Sequence, residues 1–401
     1  MTDAWLRVPV GPDAHGWATL RTRRTVLAVV HTHAGASHVL DAVELLEPDR
    51  RIQVVFSQAP DLFSNGLHRF LESLNAAVIP WHQATHSPFD LAVASDTAGL
   101  HELHAPILLV PHGVMNNKLA PAAMAGPGND LVVGMAAPWL TWFGRLVPTA
   151  IALSHDDLLE VMTRQCPQAI DASTVVGDLC LDRLVTSRAR ADRYRRELGV
   201  EPGQTLVAIS STWGVHSLFG RFHAALGDLV AQLPPERYRV IGAMHPALWY
   251  GHGQRQVLAW LSEARRNGLH LVEPLSWRSL VAAADVLIGD HGSASLYAAA
   301  AGVPVLLTRG APESVRTRSG AVALTHAVPA LSPDSALVDQ LRDAMEAFDP
   351  DTHTAVAGRI SSRPGQAAQL LRTLMYRLLA MAEPAPAARV DAVGSPSEVL
   401  C

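Results

Sequence analysis

The sequence lacks the features that mark membrane-spanning, secreted and disulfide-linked proteins. Its 401 residues contain no run of about 18 apolar residues, so we expect no transmembrane helix. The first residues show no basic segment followed by an apolar stretch, so no secretory signal is expected. The three cysteines, Cys166, Cys180 and Cys401, are far apart and form no CxxC pair. This usage fits a reducing cytoplasm and argues against a disulfide framework or a zinc ribbon.

Lysine is nearly absent. Lys118 is the only one, and the rest of the 32 basic residues are arginine. Asparagine is also scarce, yet Lys118 directly follows Asn116 and Asn117. A GC-rich genome that disfavours the codons of both residues explains this composition. A role for the three residues in a site is the alternative, and both interpretations stay open.

What is present describes a globular chain of two domains. The composition is 49% hydrophobic and 17% charged, which is not that of a disordered protein. The length exceeds one compact domain and fits two of average size. With a net charge of −5, no nucleic-acid partner is expected.

Short apolar runs alternate with helical patterns along most of the chain, which predicts parallel sheets with helices on both faces. The series restarts near residue 186, so we expect two Rossmann-like, doubly wound α/β domains. Their predicted bounds are residues 1–185 and 186–365. A helix at 366–383 could return to the first domain, and the Ala/Pro/Ser-rich residues 384–401 are predicted to be a disordered tail. One further strand is predicted at 131–134.

The strongest local pattern is residues 285–307, DVLIGDHGSASLYAAAAGVPVLL. A strand ends at 289–290, small residues then open a helix, and Gly302 ends that helix. A helix N-terminus presents unpaired N–H groups and partial positive charge, which suits phosphate. Gly292, Ser293 and Ser295 are therefore candidate phosphate ligands. The structural alternative is an ordinary N-cap, because serine at a helix start is routinely only a cap.

Several signatures of other enzyme classes are missing. There is no G-x-x-x-x-G-K-S/T of a P-loop, no G-x-S-x-G of an α/β-hydrolase, and no G-x-G-x-x-G after the first strand. The 19 histidines include close pairs such as His31 and His33, but two ligands are weak evidence for a metal site. We therefore predict no metal and no tightly bound cofactor.

At this point the sequence resembles GT-B-fold nucleotide-sugar enzymes, whose nucleotide-binding segment the 285–307 stretch is similar to. Four further segments occur in matching order and resemble CDP-glycerol glycerophosphotransferase-like proteins, the second of them also UDP-N-acetylglucosamine 2-epimerase-like proteins. They are Pro111-His-Gly113, residues 176–182, Ser211-Thr-Trp-Gly214 and Met244-His-Pro246. The resemblance covers about residues 105–310 and implies a GT-B fold, in which two Rossmann-like domains face a central cleft.

The sequence departs from the family pattern at several points. The glycerophosphotransferase pattern has a lysine five residues after the histidine, whereas Lys118 lies six residues after His112. Gly214 stands where that pattern has an arginine. Tyr297 stands where many GT-B enzymes carry an acidic residue that binds ribose. The H-x-E-A-G-x-R segment of the epimerases has no counterpart in this sequence. These departures leave the nucleotide of the donor open.

The resemblance implies a nucleotide-activated donor in the second domain. Its phosphates are expected to contact residues that follow strands, since ligands of doubly wound sheets lie at the carboxyl ends of the strands. These candidates are Gly292, Ser293, Ser295, His245, Thr212, Asp290 and His291. His245 is equally well explained as a loop cap, the Thr212 hydroxyl could bind phosphate, and Trp213 is expected to be a packing residue.

The first domain is expected to hold the acceptor. His112 follows the predicted strand 107–110 and is a candidate general base, because a neutral imidazole can take a proton from a hydroxyl at pH 7. His33 competes for that role, and Lys118 is a third catalytic candidate. Acceptor contacts are expected from His31, Gly35, Gly113, Asn116 and Asn117.

The resulting prediction is a cytoplasmic, metal-independent glycosyltransferase. It would move a sugar from a UDP-, CDP- or other NDP-linked donor to a hydroxyl of a small molecule or glycan, without integral membrane association. A homodimer is left open. Three alternatives remain: a CDP-glycerol-type polyol-phosphate transferase, a sugar-nucleotide 2-epimerase and a non-catalytic GT-B scaffold.

Overall fold

The computed structural model describes residues 5–11, 14–61, 64–114, 118–120, 130–308, 315–316 and 319–399. The chain divides into two compact units. The first comprises Met1–Asn116, Ala125–Cys180 and Ser362–Arg389, and the second comprises Asn117–Met124, Leu181–Ser361 and Val390–Cys401. Each unit thus consists of three separate segments of the chain.

Strands and helices alternate through both units. The strands are β1 Arg24–Val30, β2 Ile52–Gln58, β3 Val78–Ile79, β4 Leu91–Ala94, β5 Ile107–Leu109, β6 Thr141–Trp142, β7 Arg145–Leu146, β8 Ala150–Leu153, β9 Ser173–Val175, β10 Thr205–Ser211, β11 Tyr238–Met244, β12 Leu269–Leu271, β13 Val286–Gly289, β14 Val305–Thr308 and β15 Ala330–Leu331. The helices are α1 Ala14–Trp17, α2 His33–Val43, α3 Leu67–Ser73, α4 Trp81–Thr85, α5 Ala137–Leu140, α6 Asp157–Gln165, α7 Leu179–Arg188, α8 Ala191–Glu197, α9 Leu218–Phe222, α10 Leu226–Ala231, α11 Pro246–His252, α12 Gln254–Trp260, α13 Ser262–Arg266, α14 Trp277–Ala283, α15 Ser293–Ala300, α16 Gly320–Ala327, α17 Leu337–Glu346, α18 Pro350–Ile360 and α19 Ala367–Leu378.

The sheet of the first unit has the order β3-β2-β1-β4-β5-β8-β9, and all its neighbouring strands are parallel. Its central strand β1 is buried from Val26 to Val30. Val26 and Val30 belong to the apolar cluster on one face, whereas Leu27 and Val29 belong to that on the other. A strand that is covered on both faces reads as a continuous apolar run, which is why TVLAVV predicts it well.

The sheet of the second unit has the order β12-β11-β10-β13-β14-β15, again all parallel. The predicted two-sheet α/β fold class is therefore confirmed. β11, β10 and β13 are neighbours in the middle of this sheet, so the loops that follow them lie side by side. This is the arrangement in which doubly wound sheets bind ligands.

The C-terminal helix α19 belongs to the first unit. Leu371, Leu374 and Met375 lie in the apolar cluster on one face of the first sheet. The hydroxyl of Tyr376 donates a hydrogen bond to Asp49, with an O–O distance of 2.6 Å. Burial of the apolar face of α19 therefore holds this helix against the unit in which the chain begins.

Two local predictions differ from the structure. Leu131–Gly134 forms mainly a turn and not a strand. Residues 384–401 were expected to be a disordered tail, but residues 384–399 are extended and hydrogen-bonded to the rest of the protein. The Val393 carbonyl accepts from Tyr194 at 2.6 Å, and the Val399 amide donates to Leu271 of the edge strand β12 at 2.9 Å. Composition predicts disorder here because it cannot anticipate an edge strand whose backbone groups need partners.

Candidate functional site

The carboxyl edge of the second sheet brings together residues from three neighbouring strands. Thr212 follows β10, His245 follows β11 and Asp290 follows β13. The backbone N–H of His245 donates to the Ser211 carbonyl at 2.9 Å, which ties the ends of β10 and β11 together. Three separate sequence segments thus form one polar surface.

Asp290 is the structural centre of this edge. It is buried, and its two carboxylate oxygens accept four hydrogen bonds. Oδ2 accepts from the backbone N–H and the hydroxyl of Thr212 and from the Leu218 amide, each at 2.8 Å. Oδ1 accepts from the Gly292 amide at 3.0 Å. The carboxylate therefore fixes the loops after β10 and β13, and its expected place in the phosphate site stays a prediction.

Thr212 and Gly292 both donate hydrogen bonds to the Asp290 carboxylate and lie next to each other. The hydroxyl proton of Thr212 is donated to Asp290, and a Cβ on Gly292 would collide with the Thr212 methyl group. Glycine is needed at 292 because Thr212 occupies the space beside it. Both residues were expected to contact phosphate, which stays a prediction, and the structure places them next to each other.

Helix α15 begins at this point. Gly292 precedes it and supplies no side-chain cap for its first-turn amides. Ser293 is half-buried, whereas the hydroxyl of Ser295 is buried, packs over Gly289 and has no hydrogen-bond partner among the described residues. Of the two predicted serines, Ser293 is the one that a ligand can reach. Tyr297 is fully buried and stacks on Trp277, so the position where many GT-B enzymes bind ribose is part of the core here.

Lys118 and His291 add a positive charge and an imidazole ring beside Asp290. The Lys118 ammonium lies 5.5 Å from the centre of the Trp213 ring, within range of a cation–π contact. Protein atoms around the exposed side chain desolvate the ammonium and lower the pKa of Lys118, and Asp290 opposes this shift. Burial also lowers the pKa of His291, Asp290 opposes the shift, and Lys118 and His216 reinforce it. His291 is consequently neutral at pH 7 and able to donate a hydrogen bond.

Two turn features shape the same edge. Gly214 has a φ of +89°, which an arginine at this position would adopt only with strain, and its carbonyl accepts from the Ser217 hydroxyl at 2.8 Å. Nδ1 of His245 accepts from the Ala247 amide at 3.0 Å, so a neutral His245 carries its proton on Nε2. His245 is thus both the cap of α11 and a potential N–H donor.

A recess opens next to Asp290 and His291. It encloses about 280 Å³ of space outside the protein atoms, part of which is open to solvent. Apolar side chains and two threonines form its walls: Leu296, Leu307, Thr308, Ala321, Leu324 and Thr325. An apolar recess with two threonine hydroxyl groups thus lies directly beside Asp290 and His291.

The carboxyl edge of the first sheet has its own cluster of histidines. His112 follows β5, is exposed, and lies against the N-terminal turn of α2, since a Cβ on Gly35 would be 3.2 Å from its Nδ1. Gly113 has a φ of +73°, and its amide donates to Nε2 of His38 at 2.9 Å. The rings of His38 and His112 are 6.3 Å apart. His38 was not anticipated, although its position three residues after Gly35 on a helix would have placed it on the same face.

His31 and His33 are buried. Nε2 of His31 donates to the Ala98 carbonyl at 2.8 Å. Nε2 of His33 donates to the Asn65 carbonyl at 3.1 Å, and its ring lies 5.5 Å from that of Phe70. Burial lowers the pKa of His33 to about 4, and the hydrogen bond to Asn65 opposes the shift. His33 therefore resembles a core histidine and His112 an accessible one. Asn116 and Asn117 lie outside the described residues.

We expect His33 to make the protein sensitive to acid. Its pKa is about 4 in the folded protein and about 6.5 when unfolded, so the unfolded chain binds more protons between these values. The contribution is fully present above pH 6.5 and is lost as the pH falls towards 4, by about 3 kcal/mol in total. Guanidinium unfolding at pH 7.5, 5.5 and 4 measures this loss. His33→Gln, which keeps a donor for Asn65, should lose less stability over that range, whereas the exposed control His101→Gln should follow the wild type. Equal acid sensitivity of His33→Gln and wild type would contradict the prediction.

The part of the chain that the structure describes contains neither a metal-binding cluster nor a membrane-spanning helix. Within the described ranges, no three His, Cys, Asp or Glu side chains are grouped so that they could hold a metal ion. Among the helices of the described part of the chain, none combines the length and the apolar character that crossing a bilayer requires.

Two parallel α/β units, each with polar residues at the carboxyl edge of its sheet, define a GT-B-like fold. No protein-family model and no curated protein sequence matches this chain. Solved structures do match it, and their similarity confirms the resemblance and the fold expected from the sequence.

Three such structures illustrate the match. The wall teichoic acid polymerase TagF, soaked with CDPG, has 10% identity and a TM-score of 0.59, with 90% of each chain covered. MnaA of S. aureus, solved with UDP, has 12% identity and a TM-score of 0.55, with 92% of this chain and 100% of that chain covered. The UDP-GlcNAc 2-epimerase from Neisseria meningitidis, bound to UDP-GlcNAc, has 13% identity and a TM-score of 0.53, with 89% and 99% covered. At such low identity the similarity establishes the fold and leaves the reaction open.

Proposed function

We propose that this protein is a transferase that moves a sugar from a nucleotide-activated donor to a hydroxyl acceptor. The observation that carries the proposal is the carboxyl edge of the second sheet. There the uncapped N-terminus of α15, the Lys118 ammonium and the recess beside His291 occur together. A helix N-terminus and an ammonium suit a diphosphate.

The donor is assigned to the second unit. First-turn amides of α15 and the hydroxyl of Ser293 would contact the diphosphate, with Nε2–H of His245 as a further donor. Asp290 holds the surrounding loops in place and does not touch the ligand. Fixed donors of this kind stabilise the charge that develops on the departing diphosphate.

The acceptor and the proton transfer are assigned to the first unit, with His112 as the general base. The acceptor oxygen forms a bond to the anomeric carbon of the sugar, while the bond from that carbon to the diphosphate breaks and its electron pair leaves with the diphosphate. The proton of the acceptor hydroxyl passes to the imidazole of His112. The hydrogen bond from Gly113 to His38 positions the loop that carries His112. His33 is the weaker candidate because burial disfavours its protonated form.

Calorimetric titration with UDP, CMP, CDP, GDP and dTDP tests the proposal. We expect one nucleoside diphosphate to bind with a Kd of about 1 μM to 1 mM, the range typical of enzyme substrates. Ser293→Asp should weaken this binding at least tenfold, because a carboxylate at the first position of α15 repels phosphate although it favours the helix. Ser262→Asp, the same change at the first position of α13, is the matched control and should leave the affinity unchanged.

The panel also separates the alternatives. If none of the five nucleotides binds, the proposal is wrong. Preference for CMP and CDP would favour a polyol-phosphate transferase, and an epimerised sugar nucleotide as the product would favour an epimerase. Nucleotide binding without turnover, unaffected by substitution of His112, would identify a non-catalytic scaffold.

A further inference from the structure

Lys118 belongs to the second unit. The segment Asn117–Met124 is part of that unit although the residues on either side of it are part of the first. Lys118 forms a β-bridge with Val315 of the second unit. The contacts of Lys118 therefore belong to the second unit, although it follows His112 by only six residues.

The ammonium of Lys118 rests on an aromatic ring. Its Nζ lies 5.5 Å from the ring centre of Trp213, a side chain that is 44% exposed. In the described part of the chain, no carboxylate or carbonyl oxygen hydrogen-bonds to Nζ. Asp290 attracts Lys118, but its oxygens already accept four hydrogen bonds from other donors.

Two histidines lie near Lys118 and add N–H groups to this site. His291 interacts electrostatically with Lys118 and with His216. Neither histidine ring hydrogen-bonds to any residue that the structure describes, although an imidazole ring has two nitrogens that can do so. Lys118, His291 and His216 thus offer several N–H donors to a common ligand, and Asp290 has little remaining capacity to satisfy them.

We propose that Lys118, positioned on Trp213, binds the diphosphate of the nucleotide donor together with His291 and His216. This inference rests on the proposed function, and it moves Lys118 from the acceptor side to the donor side of the reaction. A diphosphate is the ligand class that fits, because it carries several negative oxygens and Lys118 acts as a compact point charge for phosphate. Trp213 acts through Lys118: its ring supports the ammonium and does not contact the diphosphate.

The test compares the preferred nucleoside diphosphate, its nucleoside and inorganic pyrophosphate by calorimetry. Lys118→Met should weaken both diphosphates about 10- to 100-fold, as expected for the loss of a charged hydrogen-bond donor, and leave the nucleoside affinity unchanged. Trp213→Leu should weaken them about 2- to 5-fold. The double variant should bind as weakly as Lys118→Met alone, because the ring has no function without the ammonium.

Arg237→Met is the matched control. Arg237 also lies over an aromatic ring of the second unit, that of Tyr238 at 5.7 Å, but at the start of β11 and hence at the opposite edge of the sheet. Its substitution should not change any of the three affinities. The unchanged nucleoside affinity of Lys118→Met also shows that the variant is folded.

The outcomes distinguish this inference from the proposed function. Nucleotide binding to the wild type with equal diphosphate affinity in Lys118→Met would overturn the inference and leave the proposed function standing. A parallel loss of nucleoside and diphosphate affinity would also overturn it, since the effect would then not concern the phosphates. Failure of the wild type to bind any nucleotide or pyrophosphate would overturn both.

Discussion

Replacement of His112 by glutamine is expected to lower the turnover number about 10²- to 10⁴-fold, the usual contribution of a general base. His112 is exposed at the end of β5 and lies against Gly35, whereas His31 and His33 are buried. Glutamine is similar in size and polar, but it cannot accept the acceptor proton. Release of nucleotide from the donor found in the binding panel, measured with and without acceptor, gives the turnover number.

The control for this variant lies at the other end of the same strand. His104 precedes β5, is exposed, and His104→Gln should retain full turnover. Nucleotide affinity should be unchanged in both variants, because the donor is assigned to the other unit. Full turnover of His112→Gln together with a large loss in His33→Gln would transfer the role of base to His33.

Replacement of Asp290 by alanine is expected to destabilise the protein by about 3–5 kcal/mol, because it leaves several buried donors without an acceptor. Three of them converge on one carboxylate oxygen, at 2.8 Å each. The loops after β10 and β13 would lose their common anchor, so nucleotide binding should also weaken. Guanidinium unfolding followed by circular dichroism measures the change in stability.

Two further variants sharpen this prediction. Asp290→Asn keeps one oxygen for the three donors but turns an NH₂ group towards the Gly292 amide, so its loss should be smaller than that of alanine. Asp228→Ala removes an exposed carboxylate of α10 and should change the stability by less than about 0.5 kcal/mol. Near-wild-type stability of Asp290→Ala would mean that the carboxylate is held for a ligand and not for the fold.

Most of the fold could be predicted because its strands are buried on both faces. Runs such as TVLAVV and DVLIG are apolar throughout, and the turns around them are rich in glycine and small residues. The prediction failed where local composition and long-range pairing disagree. Residues 384–399 read as disordered, but Val399 hydrogen-bonds to the edge strand β12 more than a hundred residues away in sequence.

The candidate site could be predicted only in part. Residues that follow strands are recognisable from the sequence, and Thr212, His245 and Asp290 do lie together. Their partners are not recognisable: the Asp290 carboxylate accepts from Thr212, and His38 accepts from Gly113 across 75 residues. Such pairs depend on which loops meet, and no local pattern encodes that.

By itself, the sequence determined the alternation of strands and helices, the strand ends where polar residues collect, and the isolation of its single lysine. The tertiary structure decided how these residues are used. It buried His33 and lowered its pKa, left His112 accessible, saturated Asp290 with internal hydrogen bonds, and placed Lys118 on Trp213 in the second unit. The physical reason is that secondary structure follows from periodicity over a few residues, whereas burial, charge and hydrogen bonding depend on contacts between segments that are distant in the chain.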